Sequence, residues 1–192
     1  MSAEIKVCGV NDVNFAVEAE RLGANYLGFI FAEGSPRRVT PDLVREARRR
    51  LQGTARCVGV FTAATIEEII ETVRFCGLQA VQLHRRARPQ EVESLRAAGL
   101  EVWTLAGGAE GDAVLFDSSH GDGETELRKG AFKSVLAGGI SAENVGEALA
   151  RGADVIDVSG SLESSRGVKS IGRLKAFFKA LAEVKGKERG KC

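Results

Sequence analysis

The first candidate reactive group is the thiol of Cys8, in the run Lys6-Val7-Cys8-Gly9-Val10. Residues 5–10 have the apolar character of a short strand, which Gly9 ends, and Asn11-Asp12 can cap a following helix. Cys8 is therefore expected at the carboxyl end of a first strand, where ligands bind in parallel α/β folds. On its own, the position fits a small buried hydrophobe better, because that is the usual fate of a free cysteine.

A carboxyl group, Asp117, is the second candidate, since it follows the apolar run 113–116 that we expect to be a sixth strand. It could simply cap the next turn. A thiol and a carboxyl on opposite sides of one barrel mouth could instead act as base and acid, each contributing roughly 10²- to 10⁴-fold. The acid would need a raised pKa, and the cysteine, which starts near pKa ~8.5, would need help to ionise.

Two glycine-containing loops are candidate phosphate sites. Gly138-Gly139 follows a predicted seventh strand, and Ser159-Gly160-Ser161 follows a predicted eighth. Glycine lets backbone amides approach a ligand closely, and in barrels these two loops commonly bind phosphate. Either loop alone could be only a turn, but the pair predicts an anion site.

Three further side chains could contact a ligand. Arg37 and Arg38 follow the second strand, and a guanidinium can bind a carboxylate through two hydrogen bonds, although solvent exposure explains either arginine equally well. His84 ends the fourth strand, where it could be a packed polar residue, a substrate contact or a base. Without nearby Asp, Glu, Cys or His at ligand spacing, His84 is not predicted to bind metal.

The elements that must position these groups alternate between strands and helices. Eight strand signals predict a (β/α)8 TIM barrel, and an open doubly wound sheet is disfavoured because no Gly-x-Gly-x-x-Gly follows the first strand. Residues 106–112 are too few for a helix, so the fifth crossover is expected to be short. Strands are expected at 5–10, 26–31, 56–61, 79–83, 101–105, 113–116, 134–137 and 154–158. Helices are expected after caps at Asn11-Asp12, Thr40, Thr65 and Ser141, at 89–98 and 168–182, and as one short helix around 125–129.

The composition sets the class of protein. A chain of 192 residues predicts one barrel domain over 1–185 and a polar tail over 186–192. A net charge of +1 gives no reason to expect nucleic acid or a membrane surface as partner, and no apolar run reaches a membrane-spanning length. Four scattered cysteines argue against a zinc site and suit a reducing cytoplasm.

Read together, these residues resemble the phosphoribosylanthranilate isomerase family of tryptophan biosynthesis, from Lys6 to about Leu181. No single motif is specific, but their ordered combination is, and it favours a functional role for Cys8. The motifs are Lys-Val-Cys-Gly-Val at 6–10, Ser-Pro-Arg-Arg-Val at 35–39, Val-Gln-Leu-His at 81–84, Leu-Phe-Asp-Ser at 115–118, Ala-Gly-Gly-Ile with Glu-Asn-Val at 137–145, and Asp-Val-Ser-Gly-Ser-Leu-Glu at 157–163.

The resemblance implies an Amadori rearrangement of N-(5-phosphoribosyl)anthranilate to 1-(2-carboxyphenylamino)-1-deoxyribulose 5-phosphate, without metal or organic cofactor. By the same resemblance, Asp117 is the acid, Cys8 the base and Arg37 the partner of the anthranilate carboxylate. Asp157 would lie near the anthranilate nitrogen, and His84 would contact substrate. The phosphate would be held by Gly138, Gly139, Ser159 and Gly160.

Three departures from the family pattern stand out. Arg85-Arg86 follows His84 where the family usually has glycine and an acidic residue. The loop at 120–125 lacks the usual glycine-rich and Phe-Asp-Trp elements, which bears on substrate closure. Ser-Gly-Ser replaces the common Ser-Ser-Gly in the eighth-strand loop, so a phosphate contact by Ser161 is left open.

Other functions are also compatible with a barrel of this kind. A histidine-pathway isomerase performs the same rearrangement but is expected to use two aspartates, at the ends of the first and fifth strands, and here the first position is Cys8. A metal-dependent epimerase would need clustered histidines. A catalytically silent barrel that binds a phosphate ligand is the alternative from a different class. The chain is expected to be a monomer or a homodimer that takes a small phosphosugar.

Overall fold

A computed structural model describes residues 3–118 and 126–189 of the chain. Eight parallel strands close into a barrel, in which each strand pairs with the next and β1 also pairs with β8. The predicted TIM barrel is therefore confirmed. The strands are β1 (Glu4–Cys8), β2 (Tyr26–Ile30), β3 (Arg56–Phe61), β4 (Ala80–Leu83), β5 (Glu101–Leu105), β6 (Ala113–Asp117), β7 (Lys133–Ala137) and β8 (Val155–Val158).

Helices cover the outside of the barrel. Three predicted N-caps are confirmed, because the side chains of Asp12, Thr40 and Thr65 each accept a hydrogen bond from the backbone N–H three residues later. Glu68 completes a capping box with Thr65. The helices in the described residues are α1 (Val13–Arg21), α2 (Pro41–Arg50), α3 (Ile66–Cys76), α4 (Pro89–Ala97), α5 (Val145–Ala150) and α6 (Ile171–Arg189).

The fifth crossover contains no helix, as predicted. Residues 106–112 are all described, and they connect β5 directly to β6. The connection is held by hydrogen bonds back to β5: Gly111 N–H donates to Thr104 Oγ1 at 3.1 Å, and the Asp112 carboxylate accepts from Val102 N–H at 2.8 Å. In the sixth crossover the expected short helix falls partly outside the described residues, and 126–129 are not helical.

The prediction that Ser141 caps α5 is wrong. The segment 141–144 is a turn in which Ser141 N–H donates to Asn144 Oδ1 at 2.8 Å, and Glu143 N–H donates to Ser141 Oγ at 3.3 Å. Ser141 thus makes a local side-chain bond with the backbone, which competes with helix formation. The helix begins only at Val145.

The last helix also begins later than expected. Val168 and Lys169 form a short strand, β10, which pairs antiparallel with β9 (Glu163–Ser165), and α6 follows from Ile171. The helix continues past the expected end at 182, as far as Arg189. Part of the expected tail is therefore helical, and residues 190–192 lie outside the described chain.

The core has two layers. Side chains that alternate along each strand fall either between sheet and helices or inside the barrel. On β1, Ile5 and Val7 belong to the outer layer. Inside the barrel, the rings of Tyr26 and Trp103 meet edge to face at 4.8 Å, and the ammonium of Lys6 lies 5.7 Å from the Trp103 ring. These side chains fill the lower part of the barrel interior. A cavity remains above them, at the carboxyl-terminal ends of the strands. Among the described residues, no helix is long and apolar enough to cross a membrane.

Candidate active site

A cavity of about 590 Å³ opens at the carboxyl-terminal ends of the strands. This volume lies in the range of small-ligand pockets. Every residue to which the family resemblance gives a catalytic or binding role lines it. These residues are Cys8, Arg37, His84, Asp117, Gly138, Gly139, Asp157, Ser159 and Gly160.

The thiol of Cys8 is 7% exposed and lies beside β2. Gly28 is its neighbour in the sheet, and a Cβ on that glycine would lie 2.8 Å from the Cys8 sulfur. Burial raises the pKa of the thiol, and the charge and hydrogen bond of the nearby Lys6 ammonium oppose that rise. The sulfur thus lies in a buried setting, and Lys6 is the cation with the largest effect on it.

Lys6 and Asp157 form a buried ion pair beneath the cavity. Lys6 Nζ lies 2.6 Å from Asp157 Oδ2, and the lysine side chain is fully buried. Burial alone would lower the pKa of Lys6, but the negative charge of Asp157 and the proximity of Cys8 outweigh it and raise the pKa. Lys6 therefore stays protonated. The other carboxylate oxygen, Asp157 Oδ1, has no hydrogen-bond partner within the described residues.

Asp117 is the last residue of β6 and pairs in register with Ala137 of β7. In the closed barrel, β6 is separated from β1 by β7 and β8. Asp117 and Cys8 therefore reach the cavity from different sides of the barrel mouth, which is the arrangement that an acid and base acting on one bound ligand require.

A carboxylate that the sequence analysis gave no role, Glu163, fixes the position of Arg37. Arg37 Nε and Nη2 both bind the Glu163 carboxylate, the latter at 2.9 Å. Lys169 Nζ donates to the same carboxylate at 3.1 Å, and Gly167 N–H donates to it at 2.9 Å. Burial would raise the pKa of Glu163, but these donors lower it to about 2. The guanidinium is thus held in one orientation at the cavity wall.

The neighbouring arginine, Arg38, lies elsewhere. Its guanidinium is 3.7 Å from Glu33, and both side chains are largely exposed. It lines a second cavity, between β2, β3 and α3, and is not part of the first. The structure therefore separates two arginines that the sequence left equivalent.

The loops after β7 and β8 lie side by side on the cavity wall. Gly138 and Gly139 have φ angles of 94° and 64°, a region that only glycine adopts without strain. Asn144 Nδ2 donates to the Gly139 carbonyl at 3.0 Å and fixes the loop. Ser159 Oγ donates to the Cys8 carbonyl at 3.1 Å, and Ser161 Oγ donates to the Ile140 carbonyl at 2.6 Å. Both hydroxyl hydrogens are therefore engaged by the protein, and backbone amides remain as donors for an anion.

The comparisons with known proteins agree with this geometry. Residues 5–180 match a family model described as N-(5'phosphoribosyl)anthranilate (PRA) isomerase. The N-(5'-phosphoribosyl)anthranilate isomerase of Bacillus thuringiensis is 33% identical, over 96% of this chain and 98% of that protein. This chain belongs to the phosphoribosylanthranilate isomerase family.

Solved structures of the isomerase family resemble the chain along nearly its whole length. The phosphoribosyl anthranilate isomerase of Thermus thermophilus superposes with a TM-score of 0.83 at 30% identity, over 94% of this chain and 99% of that one. Another phosphoribosyl anthranilate isomerase, in complex with reduced 1-(o-carboxyphenylamino)-1-deoxyribulose 5-phosphate, superposes with a TM-score of 0.80 at 25% identity, over 94% of this chain and 99% of that one.

Gln82 is a cavity residue of this isomerase that the sequence analysis did not assign. Its side chain is 2% exposed, and Nε2 lies 3.1 Å from His84 Nδ1. An amide nitrogen can only donate, so this contact is a hydrogen bond in the His84 tautomer that has its proton on Nε2 and accepts at Nδ1. Gln82 Oε1 has no partner within the described residues. The available signal was its position two residues before His84, on the same face of β4.

The departures from the family pattern are partly resolved. Arg85 binds Glu91 through two hydrogen bonds of 2.8 and 2.9 Å at the start of α4, where the Glu91 carboxylate also accepts from Arg88 N–H at 2.8 Å. Arg85 does not line the cavity. Arg166, in the turn between β9 and β10, does line the cavity. The loop that contains His120 lies outside the described residues. Within the described parts of the chain, no cluster of three or more His, Cys, Asp or Glu residues could hold a metal ion.

Proposed function

We propose that this isomerase converts N-(5-phosphoribosyl)anthranilate to 1-(2-carboxyphenylamino)-1-deoxyribulose 5-phosphate, with Asp117 as acid and Cys8 as base. The observation that carries the proposal is that these two groups face one cavity from β6 and β1. The family membership and the bound product analogue in a related structure support the substrate class.

The chemistry divides between the two groups. Asp117 donates its proton to the furanose ring oxygen as the C1–O bond breaks, and the anthranilate nitrogen lone pair forms an iminium at C1. The positive iminium acidifies the C2 hydrogen, so a thiolate is a sufficient base. Cys8 takes that proton, and the C–H electron pair forms the enolamine, which tautomerises to the ketose. Each proton transfer contributes roughly 10²- to 10⁴-fold.

Arg37 would hold the anthranilate carboxylate. Glu163 occupies the Nε and Nη2 side of the guanidinium, and the remaining N–H groups of the terminal nitrogens are available to a second carboxylate. Since Glu163 fixes the guanidinium before substrate arrives, little side-chain entropy is lost when the carboxylate binds.

The phosphate would be bound at the far wall by the amides of Gly138, Gly139, Ser159 and Gly160. The positive φ angles of the two glycines and the hydrogen bond from Asn144 support a loop shaped before binding. The serine hydroxyls donate to carbonyls of the protein, so we assign the phosphate contact to backbone N–H groups and not to Ser161 Oγ.

The remaining polar atoms in the cavity match donors and acceptors of the substrate. Asp157 Oδ1 is a hydrogen-bond acceptor without a partner within the described residues, which supports a position beside the anthranilate N–H. Gln82 Oε1 is a second unpartnered acceptor, suited to a sugar hydroxyl. In the tautomer that accepts from Gln82 at Nδ1, His84 would donate from Nε2 to a substrate oxygen.

The test is turnover of the purified full chain without added metal, followed by loss of substrate fluorescence. We expect Cys8→Ser and Asp117→Asn each to reduce kcat by at least about 10²-fold while still binding the reduced product analogue. Cys57→Ala, which removes a buried thiol outside the cavity, is the matched control and should retain turnover. Full activity in Cys8→Ser would contradict its assignment as base.

We propose a cytoplasmic location and a monomeric or homodimeric state for this isomerase. The three free thiols of the described chain, Cys8, Cys57 and Cys76, are compatible with a reducing compartment such as the cytoplasm. The expectation of a monomer or homodimer is checked by analytical ultracentrifugation. We propose that the partner is a small-molecule phosphosugar substrate. We do not propose a nucleic-acid or membrane partner.

A further inference from the structure

We infer that Lys6 is a positioning residue that stabilises the thiolate form of Cys8. The catalytic consequence of this role rests on the proposed function, because it assumes that Cys8 is the base. The charge state of Cys8 can be measured without any turnover, so the two proposals can fail separately.

The geometry of β1 places the two side chains together. Lys6 and Cys8 are two residues apart and so lie on the same face of the strand, toward the barrel interior. Lys6 is fully buried and does not line the cavity, whereas Cys8 does. The ammonium therefore lies beneath the thiol, where it cannot touch a ligand, and any effect on catalysis passes through Cys8.

Residues of β8 and β5 hold the ammonium in place. Lys6 is in register with Asp157 on β8, and its Nζ donates to Asp157 Oδ2 at 2.6 Å. The Trp103 ring lies 5.7 Å from Nζ and favours the charged form of the lysine. An ammonium has three N–H donors, so the bond to Asp157 leaves donors for a sulfur anion.

Cys8 is surrounded by charges of both signs. Lys6 on β1 and Lys169 on β10 favour the thiolate, and Asp157 on β8 disfavours it. Arg37 also interacts with Cys8, but Arg37 and Lys169 both bind Glu163. Across the cavity, Asp117 and His84 face the thiol from β6 and β4. Burial has the largest effect and raises the pKa of Cys8, and among the groups that lower this pKa Lys6 has the largest effect.

The role is consistent with the proton balance of the reaction. Cys8 enters as a thiolate and leaves as a thiol after it has taken the C2 proton. Lys6 keeps its own proton throughout, because its pKa is raised. It therefore acts as a fixed positive charge, whose effect is large because the site is shielded from water.

The test is the pH dependence of Cys8 alkylation by iodoacetamide in the folded full chain, followed by mass spectrometry of each cysteine. Only the thiolate reacts, so the rate reports the thiolate fraction. Cys57 and Cys76 are internal references for folding, since burial raises their pKa values to about 12 and 11 and the folded protein protects them. We expect Lys6→Met to slow alkylation of Cys8 at pH 8 by at least about tenfold, which is one unit in pKa.

A second comparison keeps the test decisive if the first variant unfolds. Lys6→Met leaves Asp157 buried without its partner, which is strongly destabilising. The double variant Lys6→Met/Asp157→Asn removes both charges and is compared with Asp157→Asn alone. We expect Asp157→Asn to speed alkylation relative to wild type, because Lys6 then serves only Cys8. The double variant should be at least about tenfold slower than Asp157→Asn.

The direction of the change in the alkylation rate of Cys8 distinguishes charge stabilisation from a purely structural role. Loss of the Lys6 charge should slow alkylation, whereas loss of structure should speed it. A structural role would expose the thiol in every variant, so that Cys8, Cys57 and Cys76 would all react faster. Equal alkylation of Cys8 with and without Lys6, in protein that still protects Cys57 and Cys76, overturns the inference. If alkylation depends on Lys6 but the wild-type protein does not convert phosphoribosylanthranilate, the proposed function fails and the role of Lys6 stands.

Discussion

Gly28 on β2 lies opposite Cys8 on β1 so closely that a Cβ on the glycine would be 2.8 Å from the sulfur and 3.2 Å from the Cys8 Cα. Both contacts are shorter than van der Waals separation. The space for the thiol therefore exists because the neighbouring strand has no side chain at this position, and the glycine is a requirement of the site.

We expect Gly28→Ala to displace the Cys8 sulfur and to lower kcat at least tenfold, because small errors in the placement of a catalytic group are costly. Overpacking should also destabilise the fold by about 1–3 kcal/mol. Steady-state kinetics and urea unfolding measure the two effects. The control is Gly186→Ala on α6, where a Cβ meets no neighbouring atom within 4 Å. Equal activity of the two variants would contradict this account of Gly28.

The buried Glu163 should make the stability of the protein depend on pH. Its pKa is lowered to about 2 in the folded state, below the value near 4.3 expected for an unfolded chain. Its contribution is thus present above about pH 4.3 and is lost as the pH falls toward 2. We expect Glu163→Gln to reduce the free energy of unfolding at pH 7 by on the order of 3 kcal/mol, and the difference from wild type to narrow as the pH falls from about 4.3 toward 2.

Urea unfolding at several pH values measures this effect. Glu67→Gln, at an exposed position in the first turn of α3, is the matched control and should follow the wild-type pH dependence. A constant difference between Glu163→Gln and wild type across the range would show that Glu163 stabilises the fold without its charge.

The pattern of the sequence was sufficient to predict the elements that carry the site. The capping box at Thr65 and Glu68, the proline at the start of α2 and the apolar strands are local signals, and the helices and strands follow them closely. The order of strands then fixes which residues meet, since the carboxyl ends of parallel strands share one end of the barrel. This is why the sequence alone places Cys8 and Asp117 at the same end of the barrel.

The contacts that tune the site could not be predicted in the same way. Glu163 meets Arg37 from 126 residues away, and Lys6 meets Asp157 from 151 residues away. Neither pair has a local pattern, because each forms only after the barrel closes. The predicted start of α5 is wrong for the opposite reason, since two local signals act together. Asn144 Oδ1 accepts from Ser141 N–H and Ser141 Oγ accepts from Glu143 N–H, so the segment forms a turn in place of a first helical turn.

The hydrogen bond from Gln82 should fix the protonation of His84. We expect nitrogen NMR of the imidazole to show the proton on Nε2 in the wild-type protein and a mixture of tautomers in Gln82→Leu, which lacks the donor. The chain has two histidines, so His120→Gln assigns the signals. KM should rise by roughly fivefold, the value of one hydrogen bond of about 1 kcal/mol. An unchanged tautomer in Gln82→Leu would contradict the role.

The phosphate site should depend on backbone shape more than on serine hydroxyls. Ser161 donates to the Ile140 carbonyl at 2.6 Å, so Ser161→Ala should cost about 1 kcal/mol of stability and leave KM nearly unchanged. Gly139→Ala meets no steric clash but places a side chain at φ 64°, which costs about 1–2 kcal/mol and turns the loop amides away. We expect it to raise KM and to weaken inhibition by inorganic phosphate, each by at least about fivefold. A larger loss of phosphate binding in Ser161→Ala than in Gly139→Ala would contradict this assignment. It would show that the Ser161 hydroxyl binds the anion, which requires it to give up its hydrogen bond to the Ile140 carbonyl when the ligand binds.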